Sequence, residues 1–332
     1  MSETVAGTLV EALEKIGVRQ IFGLIADSLN PIGDVVRRSK IEWIGVRHEE
    51  GAALAAAGQA KLTGGLGVCC GSTGPGSTHL VAGLYEASRD HAPVLAVSGD
   101  MPRQLEGIDY FQATNPNLLF GDVSLYTETI ASPAQAPAVI HQAIAAAYAG
   151  RGVAHLTVPV DVLAAKADGS VASVATLKPR REIFASEADI VEIARRIDEA
   201  GSIVIMCGAG CHGAAEELRA LSDRLKAPLI HSVKGKDIMP YDDPRWMGGI
   251  GMIGTKADYK AIMDCDLLLM LGTDYPYSVF LPPKGAVIQV DERARVLGRR
   301  AGDMPAVQAS RSSPLAGLAA IASVAILPPI TT

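Results

Sequence analysis

The stretch 47–76, RHEEGAALAAAGQAKLTGGLGVCCGSTGPG, sets a pair of carboxylates, an alanine-rich helix, an apolar strand and a glycine-rich turn in immediate succession. The run Glu42 to Val46 before it reads as a strand. Glu49 and Glu50 then open a helix, where first-turn amides and the helix dipole favour acidic residues. Those charges by themselves need no other purpose than the helix start. The residues that follow add one: Ala52, Ala53, Ala55, Ala56, Ala57, Gly58 and Ala60 leave a helix almost without side-chain bulk. Another helix or a flat ligand can approach such a backbone closely. Gly64-Gly65 ends the helix, Leu66 to Cys70 reads as a buried strand, and Gly71 to Gly76 turns into the next helix. The succession reads as a cofactor site.

The pattern continues outward on both sides. Val5, Leu9, Leu13 and Ile16 lie on one helical face from about Thr4, and Gly17 stops it. A strand Gln20 to Leu24 follows, then a helix capped by Asn30, with Pro31 at its first position, to about Arg38. Beyond the turn, Leu80, Val81, Leu84 and Tyr85 make a helix face, and Val94 to Ser98 is an apolar strand. Residues 99–121 are irregular and follow a central parallel strand, where open α/β sheets bind their ligands. Strand Ser124 to Ile130, helix Pro133 to Ala149 and strand Val153 to Val158 complete a domain over 1–162, and 163–181 reads as a linker. In 182–300 a second domain runs through helix Glu187 to Ala200 and strand Ile203 to Cys207. Gly208-x-Gly210-x-x-Gly213 then enters helix Ala214 to Lys226, followed by strand Pro228 to Ser232, helix Lys256 to Met263, and strands Leu267 to Leu271 and Val287 to Val290. The fold class is α/β, two doubly wound parallel-sheet domains. Residues 301–332 form an atypical tail: 304–313 fit neither helix nor strand, and the apolar run 314–329 is too short to span a bilayer.

With 332 residues, 48% hydrophobic and 20% charged, the chain can build two full cores. A net charge of −6 without a Lys/Arg cluster argues against nucleic acid as a partner. Glu3, Glu11 and Glu14 interrupt the first residues, so no signal or transit peptide is read there, no transmembrane segment stands out, and a cytoplasmic location is expected. Five cysteines form no CxxC pair, which points to buried free thiols and to no metal site of their own.

The 47–76 stretch resembles the pyrimidine-binding domain of thiamine-diphosphate enzymes, in which a His-Glu pair opens a helix and a Gly-Pro-Gly turn follows. The resemblance extends through IFGLIADSLN (21–30), IEWIGVRHEE (41–50) and DYFQATNP (109–116), and looks closest to the pyruvate oxidase or pyruvate:quinone dehydrogenase branch. It implies that Glu49 is the acid that hands a proton to the aminopyrimidine, in a poorly solvated place. It implies further that Gly74, Pro75 and Gly76 form the wall against the ring, and that Gln112 orients the substrate carbonyl. A Gly-Pro-Gly turn and a loop amide also occur without a ligand. His48 and His79 are candidate active-site groups, though a histidine near a helix start is often simply hydrogen-bonded.

In the second domain Gly208 and Gly210 would let a pyrophosphate approach the backbone. No acid ends the next strand, where Ser232-Val233-Lys234 stands, so simple NAD binding is disfavoured. KGKD (234–237), GMIG (251–254), LGTDYPY (271–277) and VDERARVLG (290–298) resemble the FAD-binding middle domain of pyruvate oxidases. The resemblance implies that Gly251, Met252 and Ile253 with Thr273, Asp274, Tyr275, Pro276 and Tyr277 line the flavin nucleotide, with Asp291 at the adenosine end. Family enzymes hold the diphosphate through Mg²⁺ in a third domain with a Gly-Asp-Gly motif, which is not found in this sequence. Only the pyrimidine half of thiamine diphosphate is therefore expected here. The expectation is a part of a thiamine-diphosphate- and FAD-dependent pyruvate (2-keto acid) oxidase or dehydrogenase, carrying out decarboxylation within a homo-oligomer, with a possible separate diphosphate-binding chain. The alternatives are a truncated, inactive FAD- or nucleotide-binding module and an acetolactate-synthase-like carboligase.

Overall fold

Thr4 caps the first helix, α1 (Val5–Lys15), by accepting from the Gly7 amide at 3.1 Å, and Gly17 at φ +88° turns the chain out of it. The computed structural model describes residues 4–167, 169–178, 183–284, 286–299 and 306–309, which fall into two units divided between Arg180 and Arg181.

The first unit continues through β1 (Gln20–Gly23), α2 (Asn30–Val36), β2 (Glu42–Gly45), α3 (Glu49–Thr63), β3 (Gly67–Gly71), α4 (Pro75–Arg89) and β4 (Val94–Asp100). Next come α5 (Pro116–Phe120), β5 (Ser124–Thr129), α6 (Ala136–Gly150), β6 (Val153–Pro159), α7 (Val160–Ala164) and α8 (Val174–Leu177). Six parallel strands lie in the order β2-β1-β3-β4-β6-β5. Strands β3 and β6 are buried throughout, as strands covered on both faces must be. Their period of two divides the core: Val68, Cys70, Leu95 and Val97 join α1, α2 and α6, whereas Cys69, Val94 and Ala96 join α3, α4 and Phe120 of α5.

Three local expectations change. Asn30 is not a cap but the first residue of α2, because a 3-10 turn Asp27–Leu29 precedes it, with Asp27 accepting from the Ser28 amide at 2.8 Å. The irregular 99–121 segment contains α5, capped by Asn115, which accepts from Leu118 N at 3.2 Å, with Pro116 first in the helix. Within 163–181, Leu163 and Leu177 are buried in the first core, and Val5 N donates to Ala165 O at 3.0 Å. These buried side chains and the bond from Val5 bind residues 163–177 to the first unit.

The second unit comprises α9 (Glu187–Glu199), β7 (Ile203–Cys207), α10 (Ala215–Leu225), β8 (Leu229–His231), β9 (Trp246–Gly249), α11 (Lys256–Asp264), β10 (Leu267–Leu271), β11 (Ala286–Asp291) and β12 (Ala306–Gln308). All strands are parallel, in the order β12-β11-β10-β7-β8-β9. Strand β12 corrects the reading of 304–313: Val307, 3% exposed, pairs with Val290 and seals the sheet edge, a role that pairing confers on a segment too short to show a pattern. The rest of the 301–332 tail lies outside the described residues, apart from Ala309, which is buried in the second core. All five cysteines are buried free thiols, as expected. Among the described residues no helix is long and apolar enough to cross a membrane.

Candidate active site

Glu49 is the first residue of α3, with its side chain turned inward, and is only 6% exposed. His48 caps the helix: its Nδ1 accepts from Glu50 N at 3.3 Å. From α4, Nδ1 of His79 lies 2.9 Å from Oε2 of Glu49, and the His48 and His79 rings stack with centroids 4.3 Å apart. The other carboxylate oxygen borders the Gly-Pro-Gly turn. A Cβ built on Gly76 would lie 2.9 Å from Oε1 of Glu49 and 2.5 Å from Oγ of Ser72, so only glycine fits beside this oxygen.

The turn is held from several directions. Gly74 adopts φ +63°, and a Cβ there would fall 2.3 Å from the carbonyl oxygen of Gln112. Gln112 is thus brought to the turn through its backbone. Pro75 takes the first position of α4, where its missing N–H costs nothing. Ser28 Oγ accepts from the Thr73 amide at 3.3 Å, and Ser77 Oγ donates to Ser72 O at 2.7 Å. Sequence reading missed Ser28, because the bond spans 45 positions and nothing local marks it. The α3 helix fits against α4 because it is thin. A Cβ on Gly83 would lie 2.7 Å from both Glu50 O and Ala53 Cβ. Within the sheet, on β6, His155 is fully buried between Ser98 Oγ on Nε2 at 2.8 Å and Thr127 Oγ1 on Nδ1 at 2.9 Å. Phe120 stacks on its ring at 3.6 Å, and burial pulls the imidazole down to about 3, so it stays neutral.

In the second unit Gly208 and Gly210 lie against the loop after β10. Cβ atoms there would fall 2.4 Å from Gly272 O and 2.6 Å from Gly272 Cα respectively, while Gly210 N donates to Gly272 O at 3.0 Å. These glycines therefore already serve backbone packing, and α10 begins only at Ala215, after a 3-10 turn. Gln289, wholly buried, donates to Thr273 O at 3.1 Å and accepts from Gly298 N at 3.1 Å, which fixes the loops after β10 and β11 together. The Tyr275 hydroxyl is buried with no partner among the described residues, and a Cβ on Gly251 would lie 2.6 Å from it. Tyr277 meets Tyr275 edge-on at 5.8 Å, Pro276 lies between them in sequence, and Asp274 accepts from Arg299 at 3.4 Å. Met252 and Ile253 are exposed at the tip of their loop. Asp291, buried at the end of β11, has both oxygens engaged by Arg293 at 2.9–3.2 Å. In this unit the sequence reading did not single out Arg293 or Gln289, whose bonds depend on how the loops after β10 and β11 come together.

The first unit buries a carboxyl group at a helix start against a glycine turn, and the second gathers glycine-lined loops at its strand ends, both within doubly wound α/β folds. Residues 3–118 match the family described as thiamine pyrophosphate enzyme, N-terminal TPP binding domain, and residues 190–315 match its central domain. An uncharacterized 42.6 kDa protein of Pseudomonas amyloderamosa is 44% identical over 299 residues, 90% of this chain and 76% of that protein. The pyruvate oxidase of Lactiplantibacillus plantarum is 36% identical over 323 residues, 94% of this chain and 53% of the enzyme. The acetolactate synthase isozyme 2 large subunit of Escherichia coli is 30% identical over 297 residues, 85% of this chain and 53% of the subunit. The chain belongs to the thiamine pyrophosphate enzyme family. It spans about half the length of the pyruvate oxidase and the acetolactate synthase.

The residues present fit the aminopyrimidine half of the cofactor. The buried Glu49 carboxyl beside the Gly74–Gly76 backbone is the kind of donor set such a ring needs, and the space at Gly76 is closed to any side chain. The unpartnered Tyr275 hydroxyl beside Gly251 is likewise a polar group awaiting a partner.

Proposed function

We propose that this chain supplies the aminopyrimidine-binding and nucleotide-binding domains of a thiamine-diphosphate- and FAD-dependent enzyme that decarboxylates pyruvate or a related 2-keto acid and passes the electrons on. The observation that carries the reading is the buried Glu49 carboxyl at the start of α3, set so close to the Gly74-Pro75-Gly76 turn that any side chain at 76 would meet it. Bound there, the cofactor would supply the nucleophilic carbon for decarboxylation, and a flavin the electron acceptor.

The work of this chain's residues is positioning and proton handling. Glu49 would hold a proton toward the ring nitrogen from a site where low dielectric strengthens the hydrogen bond. Gly74 and Gly76 present backbone groups to the ring edge, and Pro75 keeps the turn in one shape. Gln112, anchored beside Gly74, orients the keto-acid carbonyl. In the second unit Gly251 to Ile253 and Thr273 to Tyr277 would line the flavin nucleotide, while Gly208 and Gly210 let the loop after β10 pack alongside. Asp291, held by Arg293, shapes the adenosine end. The diphosphate and its Mg²⁺ are held by a domain outside the two matched here, on this polypeptide or on another. The enzyme works as a homo-oligomer.

The test is pyruvate-driven reduction of an artificial electron acceptor by the complete assembly purified from its native source, with its absorbance spectrum recorded for flavin. Glu49→Gln should lower turnover by about a hundredfold or more while flavin content is unchanged. Full turnover in Glu49→Gln would overturn the assignment. The acetolactate synthase relatives favour a second reading, a carboligase with the same Glu49 role; production of acetolactate without acceptor reduction would select it.

A further inference from the structure

We propose that His79 is a positioning residue that fixes which oxygen of Glu49 carries the transferable proton. The inference rests on Glu49 being the aminopyrimidine acid, and it deepens that reading by naming how the acid is set.

A carboxyl group has two chemically equal oxygens, and a helix-start glutamate can rotate to exchange them. Here they are made unequal. Oε2 lies 2.9 Å from Nδ1 of His79, which comes from α4 across the α3–α4 interface. Oε1 lies on the side of Gly76, uncovered by any side chain of that residue. An ionised carboxylate only accepts hydrogen bonds, so the contact requires a proton on Nδ1 of His79. Nδ1–H then donates to Oε2. When the carboxyl group itself is protonated, the same donor leaves Oε1 as the oxygen that carries the hydrogen. That hydrogen points at the glycine wall, where the ring nitrogen is to be placed.

His48 completes the arrangement. Its Nδ1 accepts from the Glu50 amide, an N–H that can only donate, so His48 bears its proton on Nε2. The His48 ring stacks on His79 at 4.3 Å with the planes inclined by 23°, which limits the swing of the His79 ring about its χ2. The carboxylate of Glu50 stands 3.9 Å from His48 Nδ1, beyond hydrogen-bond distance, so that nitrogen keeps the Glu50 amide as its partner. His79 is thus held by a stack on one side and by Glu49 on another, although a large part of its side chain is exposed. A histidine placed only for packing would have no need of a single tautomer.

The experiment uses the full chain labelled with ¹⁵N-histidine and long-range ¹H–¹⁵N correlation spectra, with the His79 signals identified by their loss in His79→Asn. A proton on Nδ1 of His79 in the wild type, diminished in Glu49→Ala, is the expected result. A bare Nδ1 in the wild type, or one protonated to the same extent in Glu49→Ala, overturns the inference. Calorimetric titration with thiamine adds a functional readout. His79→Ala should bind about tenfold more weakly, the loss expected for one hydrogen bond to a charged group. His79→Asn, which keeps an N–H near the Nδ1 position, should bind within about threefold of the wild type. Equal affinity in wild type and His79→Ala also overturns the inference, while leaving the role of Glu49 standing. If the wild type binds no thiamine, yet the Nδ1 proton responds to Glu49→Ala, the pairing stands and the proposed function fails.

Discussion

The candidate site depends on what single residues leave out as much as on what they present. Gly76 lacks the Cβ that would lie 2.9 Å from Oε1 of Glu49 and 2.5 Å from Oγ of Ser72. Gly76→Ala should therefore displace the carboxyl group, cost about 1–3 kcal/mol of stability in urea unfolding, and remove measurable thiamine binding. Retention of wild-type affinity would show that the wall is not where the ring sits. His155 gives a second residue-scale expectation. Its ordinary pKa of 6.5 is pulled to about 3 by burial. Above pH 6.5 the folded and unfolded chains are both neutral at this position; below it, the unfolded chain takes up a proton that the folded one refuses. Stability should thus fall as pH drops from 6.5 toward 3, with a slope of up to about 1.4 kcal/mol per pH unit from this residue. In urea midpoints measured across that window, His155→Gln should be less stable than wild type at neutral pH but should lose stability less steeply on acidification. Parallel pH profiles would refute the assignment.

At the scale of elements, α3 and α4 carry the site because they touch almost backbone to backbone. In Gly83→Ala the added carbon would meet Glu50 O and Ala53 Cβ at 2.7 Å. Separating the helices would move Glu49 relative to His79, with an expected cost of about 1–3 kcal/mol. The ¹⁵N-histidine spectrum should report it as loss of the Nδ1 proton. The α5 helix is a smaller case. Asn115→Ala removes the cap on Leu118 N, and a loss of about 1 kcal/mol is expected in chemical unfolding. Long elements with a regular pattern were legible in the sequence: α1, α3, α4, α6 and α9 fall close to their expected bounds. The five-residue α5, the four-residue β9 and the three-residue β12 were not. Pieces that short carry less than two turns or two full alternations, so neighbouring elements and not their own pattern determine them.

At the scale of the molecule, the two units have separate sheets and separate cores, the first reaching to Arg180 and the second starting at Arg181. Chains 1–180 and 181–332, expressed separately, should each give helical and strand signals and a cooperative unfolding transition. Failure of the first piece to fold would mean that its core is incomplete without the second.

The sequence alone determined the class of fold and the family, and it put Glu49 forward as the candidate acid. Alternating apolar runs report burial on two faces, and a His-Glu helix start followed by a Gly-Pro-Gly turn is a local chemical signature. Only the tertiary structure decided that His79 engages one oxygen of Glu49, that Ser28 holds the turn at Thr73, that Gln112 reaches Gly74 through its backbone, and that Arg293 occupies Asp291. The first three join residues distant in sequence, and the fourth depends on the rotamer of a long side chain. Their geometry follows from how strands and helices pack, and no spacing along the chain encodes it.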